Sequence, residues 1–172
     1  PPIGGSFVET PDYLNNRGMI NINNKDNKCF MYSVNASKLE IDNKHPDRVN
    51  QYMDKDFFNF KGIQFPTPMN ASTFKKFENQ NKNTRLAVYQ TNTTYKTMNI
   101  TPVYNNLSNN PDEHQILLLV MYNETHYHYT FINNWNRLNS DPNNPTATCK
   151  ICTYRFSGVK CKENLEIHVP EC

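Results

Sequence analysis

Hydrophobic positions along this chain alternate between the two-residue period of strands and the three-to-four-residue period of helices. Residues 1–17 carry three prolines, two glycines and no periodicity, which predicts an extended arm. Met19, Ile20 and Ile22 predict a short strand within 18–24. After Asp26 and Asn27, residues able to cap a helix, Cys29, Phe30, Tyr32, Val34 and Ala36 predict a buried helix near 29–38. Pro46 and Asp47, followed by Val49, Tyr52, Met53 and Phe57 at helical spacing, predict a second helix near 47–57. Pro66 and Pro68 interrupt the chain, and Ser72 is placed to cap a short helix bearing Phe74 and Phe77.

Strands are predicted at 85–90, 94–104 and 116–122, and the apolar run Ile116 to Met121 suits the most buried of them. A hairpin turn at 122–125 then leads into a strand whose alternation puts His126, His128 and Thr130 on one face and Tyr127, Tyr129 and Phe131 on the other. The expected architecture is α+β. A central antiparallel sheet built largely from 85–132 carries the N-terminal helices, 18–138 forms one domain, 139–148 is a linker, and 149–172 is a small cysteine-bearing tail.

Composition changes this picture in only a few ways. No apolar run approaches the roughly 20 residues a membrane-spanning helix needs, so no membrane span is expected. With 18 Lys+Arg against 16 Asp+Glu, and the basic residues scattered, the chain lacks the basic patch of a nucleic-acid binder. Its five glycines form no phosphate loop and no Gly-x-Ser-x-Gly elbow. Asparagine is abundant, and Asn35, Asn70, Asn92, Asn99, Asn106 and Asn123 each begin an Asn-x-Ser/Thr glycosylation acceptor. Asn123, in the predicted hairpin turn, is the acceptor expected to be used first.

Candidate chemistry rests on cysteine and histidine. Cys29 opens a predicted helix, where unpaired N–H groups favour a thiolate. A histidine base would have to reach it, with His128 and the neighbouring His126 available on one strand face and Asn134 or Asp26 as possible orienting groups. A buried thiol of purely structural use is the simpler reading. His114, His126 and His128 form a weaker metal-binding alternative. In the tail, Cys149-x2-Cys152 and His168-x3-Cys172 have zinc-ligand spacing, while Cys161 makes the tail cysteines an even set of four, which an oxidising compartment would pair as disulfides. Zinc ligation and disulfide pairing exclude one another.

An ordered series of segments resembles a known family. Gly18-Met19-Ile20-Asn21-Ile22, Asp26-Asn27-Lys28-Cys29-Phe30, Asp47-Arg48-Val49, Lys61 to Pro66 and Phe74 to Asn81 are similar to the region upstream of the polymerase in protein-primed type B DNA polymerases of Polinton (Maverick) elements. His114 to Leu119, His128-Tyr129, Asn134, Arg137-Leu138 and the Cys-x-x-Cys tail continue the similarity over roughly 17–172. The resemblance implies a papain-like or OTU-like cysteine-peptidase fold, His128 as the partner of Cys29, and a zinc-finger-like tail. Lys28 departs from the small or polar residue expected before the cysteine.

These readings lean against catalysis. The expectation is a secreted glycoprotein effector or toxin-like factor, of the insect-virus or parasitoid-killing type, built on an inactive peptidase-like domain. It would have no cofactor, disulfides among Cys149, Cys152, Cys161 and Cys172, and an unidentified protein or cell-surface target. The alternatives are an active cysteine peptidase or deubiquitinase using Cys29, His128 and Asn134, and an intracellular zinc module of protein-primed replication holding its metal with Cys149, Cys152, His168 and Cys172.

Overall fold

A computed structural model describes residues 3–5, 7–14, 18–41, 44–91, 100–122 and 126–172. The fold is α+β. Its central element is a six-stranded sheet in the order β1-β6-β5-β3-β4, with β2 also pairing with β6. The strands are β1 (Ile3–Gly4), β2 (Met19–Ile20), β3 (Thr84–Thr91), β4 (Ile100–Asn105), β5 (His114–Tyr122) and β6 (His126–Ile132).

The sheet is mixed, which corrects the all-antiparallel expectation. β3 and β4 are antiparallel neighbours, but the chain then passes back across β3 and lays β5 on its other side, parallel to β3 and with Leu86 opposite Ile116. β5 and β6 are antiparallel. β5 therefore lies between β3 and β6, and Ile116, Leu118, Leu119, Val120 and Met121 are fully buried, as its unbroken apolar run requires.

The arm is not a free extension. β1 adds a parallel strand to β6, while Val8 and Leu14 enter the core. Gly5 makes this docking possible: its φ is +90°, and a side chain there would meet the Asn27 carbonyl at 2.6 Å.

Pleating gives the sheet two different faces. Leu118, Val120 and Tyr129 share one face with α1 (Cys29–Ala36) and α2 (Ala71–Gln80), packing with Phe30, Phe74 and Phe77. Leu119, Met121 and Tyr89 share the other with Trp135 and Leu138 of α3 (Trp135–Leu138).

α1 forms as its apolar pattern predicts. The helix expected over 47–57 does not: only Val49–Tyr52 makes a single 3-10 turn, Tyr52 alone is fully buried there, and Asp54 takes φ +55°. The polar run Asp54-Lys55-Asp56 offers no second apolar turn to bury, so packing cannot extend the helix. α2 does form, but Asn70 caps it, its side-chain oxygen accepting from the Thr73 amide at 2.9 Å, and Ser72 lies inside the first turn. The predicted strand 94–104 is observed from Ile100 onward, its earlier part lying outside the described residues, as does the turn at 123–125.

The tail is a small hairpin-and-helix unit. β7 (Thr146–Thr148) and β8 (Arg155–Ser157) pair antiparallel, and α4 (Cys161–His168) folds back on both. β7 belongs to this unit, so the unit begins inside the stretch expected to be linker. It is tied to the main sheet through backbone carbonyls: Trp135 Nε1 donates to Thr148 at 2.9 Å, and Asn105 Nδ2 (2.7 Å) and the Tyr89 hydroxyl both donate to Lys150.

Candidate functional site

Cys29 begins α1, as expected for a helix-activated thiol. The local turn is well formed, with Asp26 accepting from the Lys28 amide at 3.0 Å and from the Tyr32 hydroxyl. The thiol, however, points into the aromatic core, is 1% exposed, and accepts from the Tyr129 amide at 3.4 Å. Burial pushes its pKa up to about 12, against the smaller opposing effect of backbone N–H groups from Tyr129, Phe30 and Cys29 itself. This thiol does not ionise near neutral pH.

His128 is not its partner. Tyr129 lies on the α1 face, so the preceding residue projects through the sheet to the opposite face. There His128 lies across from Met121 in the β5–β6 register, with its ring edge-on to Phe7 at 5.8 Å. Cys29 and His128 thus approach the same strand from opposite sides. The expectation that the two side chains meet is corrected by the same face alternation that the sequence displayed.

Asn134 does not orient either group. It caps α3, its side-chain oxygen accepting from the Arg137 amide at 3.0 Å. Asp26 is committed to the turn before α1. His114 is held elsewhere, with Nε2 2.8 Å from the Ser37 hydroxyl and its ring stacked on Phe58.

The glycosylation acceptors divide sharply. Asn35 is 1% exposed and its amide donates to the Tyr52 carbonyl at 3.0 Å, so it cannot carry a sugar in the folded domain, which corrects that assignment. The Asn106 amide donates to Glu78 at 3.0 Å. Asn70 is exposed and uses its side-chain oxygen for capping. Asn92, Asn99 and Asn123 lie outside the described residues.

The tail does bring its predicted groups together. Ligand atoms of Cys149, Cys152, His168 and Cys172 all lie within 4.8 Å of one another, the one such cluster of three or more among the described residues. Cys149 and Cys152 sit at the two ends of the turn joining β7 and β8, closed by the Thr153 amide donating to the Cys149 carbonyl at 2.9 Å. His168 ends α4, and the following 3-10 turn returns Cys172 to the same side.

Cys149 Sγ is 3.9 Å from Cys172 Sγ, and Cys152 Sγ is 3.2 Å from His168 Nε2. The first distance is far longer than a disulfide of about 2.05 Å. It matches the edge of a tetrahedron with Zn–S bonds of about 2.3 Å, which is roughly 3.8 Å.

The expected disulfides are not formed: all five cysteines are free thiols. Cys161 is outside the cluster, buried at 3% where α4 begins, so the even set counted in the sequence is not an even set in space. Burial raises the Cys152 thiol, but hydrogen bonds from the Tyr154 amide, His168 and the neighbouring thiols outweigh it and hold it at about 7. Cys172, hydrogen-bonded to Cys152 and partly desolvated, is pushed up to about 11. Such a set ionises one thiol readily, and a divalent cation displaces the remaining protons. These residues fit a structural zinc ion, with four protein ligands and no open position for substrate.

Comparison with protein-family models, curated proteins and solved structures finds no match to this chain.

Proposed function

We propose that the chain is a non-catalytic binding protein, an effector whose peptidase-like α+β domain serves as scaffold and whose tail is closed by one zinc ion. The observation that carries the reading is the position of Cys29 and His128 on opposite faces of the sheet, with the thiol buried and held protonated. A cysteine peptidase needs a thiolate within hydrogen-bond reach of its base, and an accessible cleft. Cys29 has neither. Its role is packing beneath α1.

The cofactor is zinc, held by Cys149, Cys152, His168 and Cys172. In this reading the metal supplies folding energy to the tail and no reaction step. The partner is a protein, since five of the seven large apolar side chains exposed among the described residues belong to the tail: Ile151, Tyr154, Val159, Ile167 and Val169.

The same cluster favours a second reading, an intracellular zinc module of protein-primed replication, because thiolates keep zinc in a reducing compartment and pair in the secretory route. One experiment decides both. Intact mass of protein purified from a eukaryotic secretory host and from cytosol is measured under native and denaturing conditions, with and without glycosidase, and a thiol-directed peptidase probe is added to the native sample. One zinc, four unoxidised tail thiols and no probe labelling at Cys29 are expected. Sugar at Asn70 with zinc retained supports the secreted effector, whereas bare acceptors support the intracellular module. Probe labelling at Cys29 overturns the non-catalytic reading.

A further inference from the structure

The tail and the sheet domain form a groove of about 690 Å³ that lies away from Cys29 and is bordered by one member of the metal cluster, Cys149. Its volume falls within the roughly 300–1,000 Å³ of small-molecule sites. One wall is the domain, with Leu107, Leu117 and Trp135; the other is the tail, with Leu165, Val169 and Pro170. Polar groups at the domain side are already satisfied by each other: the Ser108 amide donates to Gln115 at 3.0 Å, and Gln115 Nε2 donates to the Ser108 hydroxyl at 3.1 Å. No aspartate or glutamate lines the groove, and Lys150 is its single lysine or arginine.

The two walls are fixed relative to each other. The carbonyls of Thr148 and Lys150 accept from Trp135, Asn105 and Tyr89 of the domain, so the groove is built between anchored elements. The Lys150 ammonium takes no part in this anchoring, which uses only its backbone.

We propose that this groove binds a small amphiphilic carboxylic acid, its hydrocarbon body between the two apolar walls and its carboxylate beside Lys150. An apolar cleft gains from taking up hydrocarbon, the more so the longer the chain it covers. A lone cation without a neighbouring carboxylate in the lining selects an anionic head group. The inference goes beyond the scaffold-and-zinc reading: Cys149 borders the groove, but its thiol takes no part in the proposed binding.

Trp135, the chain's single tryptophan, lines the groove and is a built-in reporter. The test is energy transfer from Trp135 to cis-parinaric acid, a fluorescent polyene carboxylate, titrated into the full chain as purified with its metal. Saturable transfer, displaced by a non-fluorescent saturated fatty acid, is expected. Lys150→Glu is expected to weaken parinarate at least tenfold and to leave the corresponding alcohol unchanged; Leu107→Glu is expected to abolish binding of both. Zinc content and near-UV circular dichroism of each variant establish that the fold persists. Absence of saturable transfer, transfer that the fatty acid does not displace, or equal parinarate affinity in Lys150→Glu overturns the proposal. Zinc-free protein that still binds parinarate supports this proposal and shows that the tail wall of the groove folds without the metal.

Discussion

The cysteines of the sheet domain and of the tail are the same side chain put to opposite uses. In the domain, Cys29 is surrounded by Phe30, Tyr129 and the rest of an aromatic core, and its proton is held so firmly that its pKa is pushed up to about 12. In the tail, Cys152 is exposed beside His168 and two further thiols, and is held at about 7. Burial in an apolar medium penalises the charged form, whereas converging donors stabilise it. The contrast extends to what holds each region together. The domain buries two clusters of large apolar residues on the two faces of a sheet, but the tail buries little beyond Ala147, Cys149 and Cys161. A segment that small needs a cross-link to stay folded.

The largest effect expected from breaking this contrast is at the metal. Cys152→Ser removes one of four ligands from a site of the kind that contributes about 10–16 kcal/mol of apparent binding energy. Zinc should be lost and the tail become protease-sensitive while the domain keeps its cooperative unfolding; metal titration and limited proteolysis check this. If the tail stays resistant without zinc, it has a core of its own and the contrast fails.

Phe30→Ala is the converse. Phe30 is fully buried between α2 and Tyr129, and its truncation should cost about 3–5 kcal/mol. Denaturant unfolding should show the loss, with zinc affinity unchanged.

Thiol reactivity sharpens the comparison. At pH 8 a thiol of pKa about 12 is ionised in only about one molecule in ten thousand. With the metal chelated, iodoacetamide should modify Cys152 first and Cys29 only on unfolding, as peptide mapping would record. Early alkylation of Cys29 would contradict its burial.

Asn70→Ala should cost about 1 kcal/mol by removing the cap of α2. The smallest effect concerns Asp26. Burial raises its carboxyl, yet hydrogen bonds from Tyr32, the Lys28 amide and Asn24, with the charge of Lys28, outweigh burial and lower it below its ordinary value. A depressed folded-state pKa gives stability that is present above the unfolded value and is lost as pH falls through the folded one. Domain stability should therefore decline below about pH 4, and Asp26→Asn should be less stable at neutral pH with a flatter acid limb.

The local elements were legible where burial and period agree. The uninterrupted apolar run of β5 could only be an interior strand, and α1 and α2 repeat their apolar residues at helical spacing. The helix expected at 47–57 shows where that reasoning stops, because a period without enough apolar area to bury does not hold a helix. The absence of periodicity in the arm predicts only an extended segment; that Ile3–Gly4 pairs with the free edge of β6 depends on a strand more than a hundred residues away.

The candidate sites show the same division. The alternation of His128 and Tyr129 was plain in the sequence, and so was the helix start at Cys29. Which face of β6 receives α1 was not, because that is settled by long-range packing of Phe30, Phe74 and Phe77 against the sheet. Likewise the spacings Cys149-x2-Cys152 and His168-x3-Cys172 were fixed in the sequence, since a tight turn and a helix end place such pairs locally. Only the folding of α4 onto the β7–β8 hairpin decided that the four groups meet while Cys161 stays apart: sequence spacing constrains neighbours within a turn or two, and the partners beyond it are chosen by which apolar surfaces can be buried together.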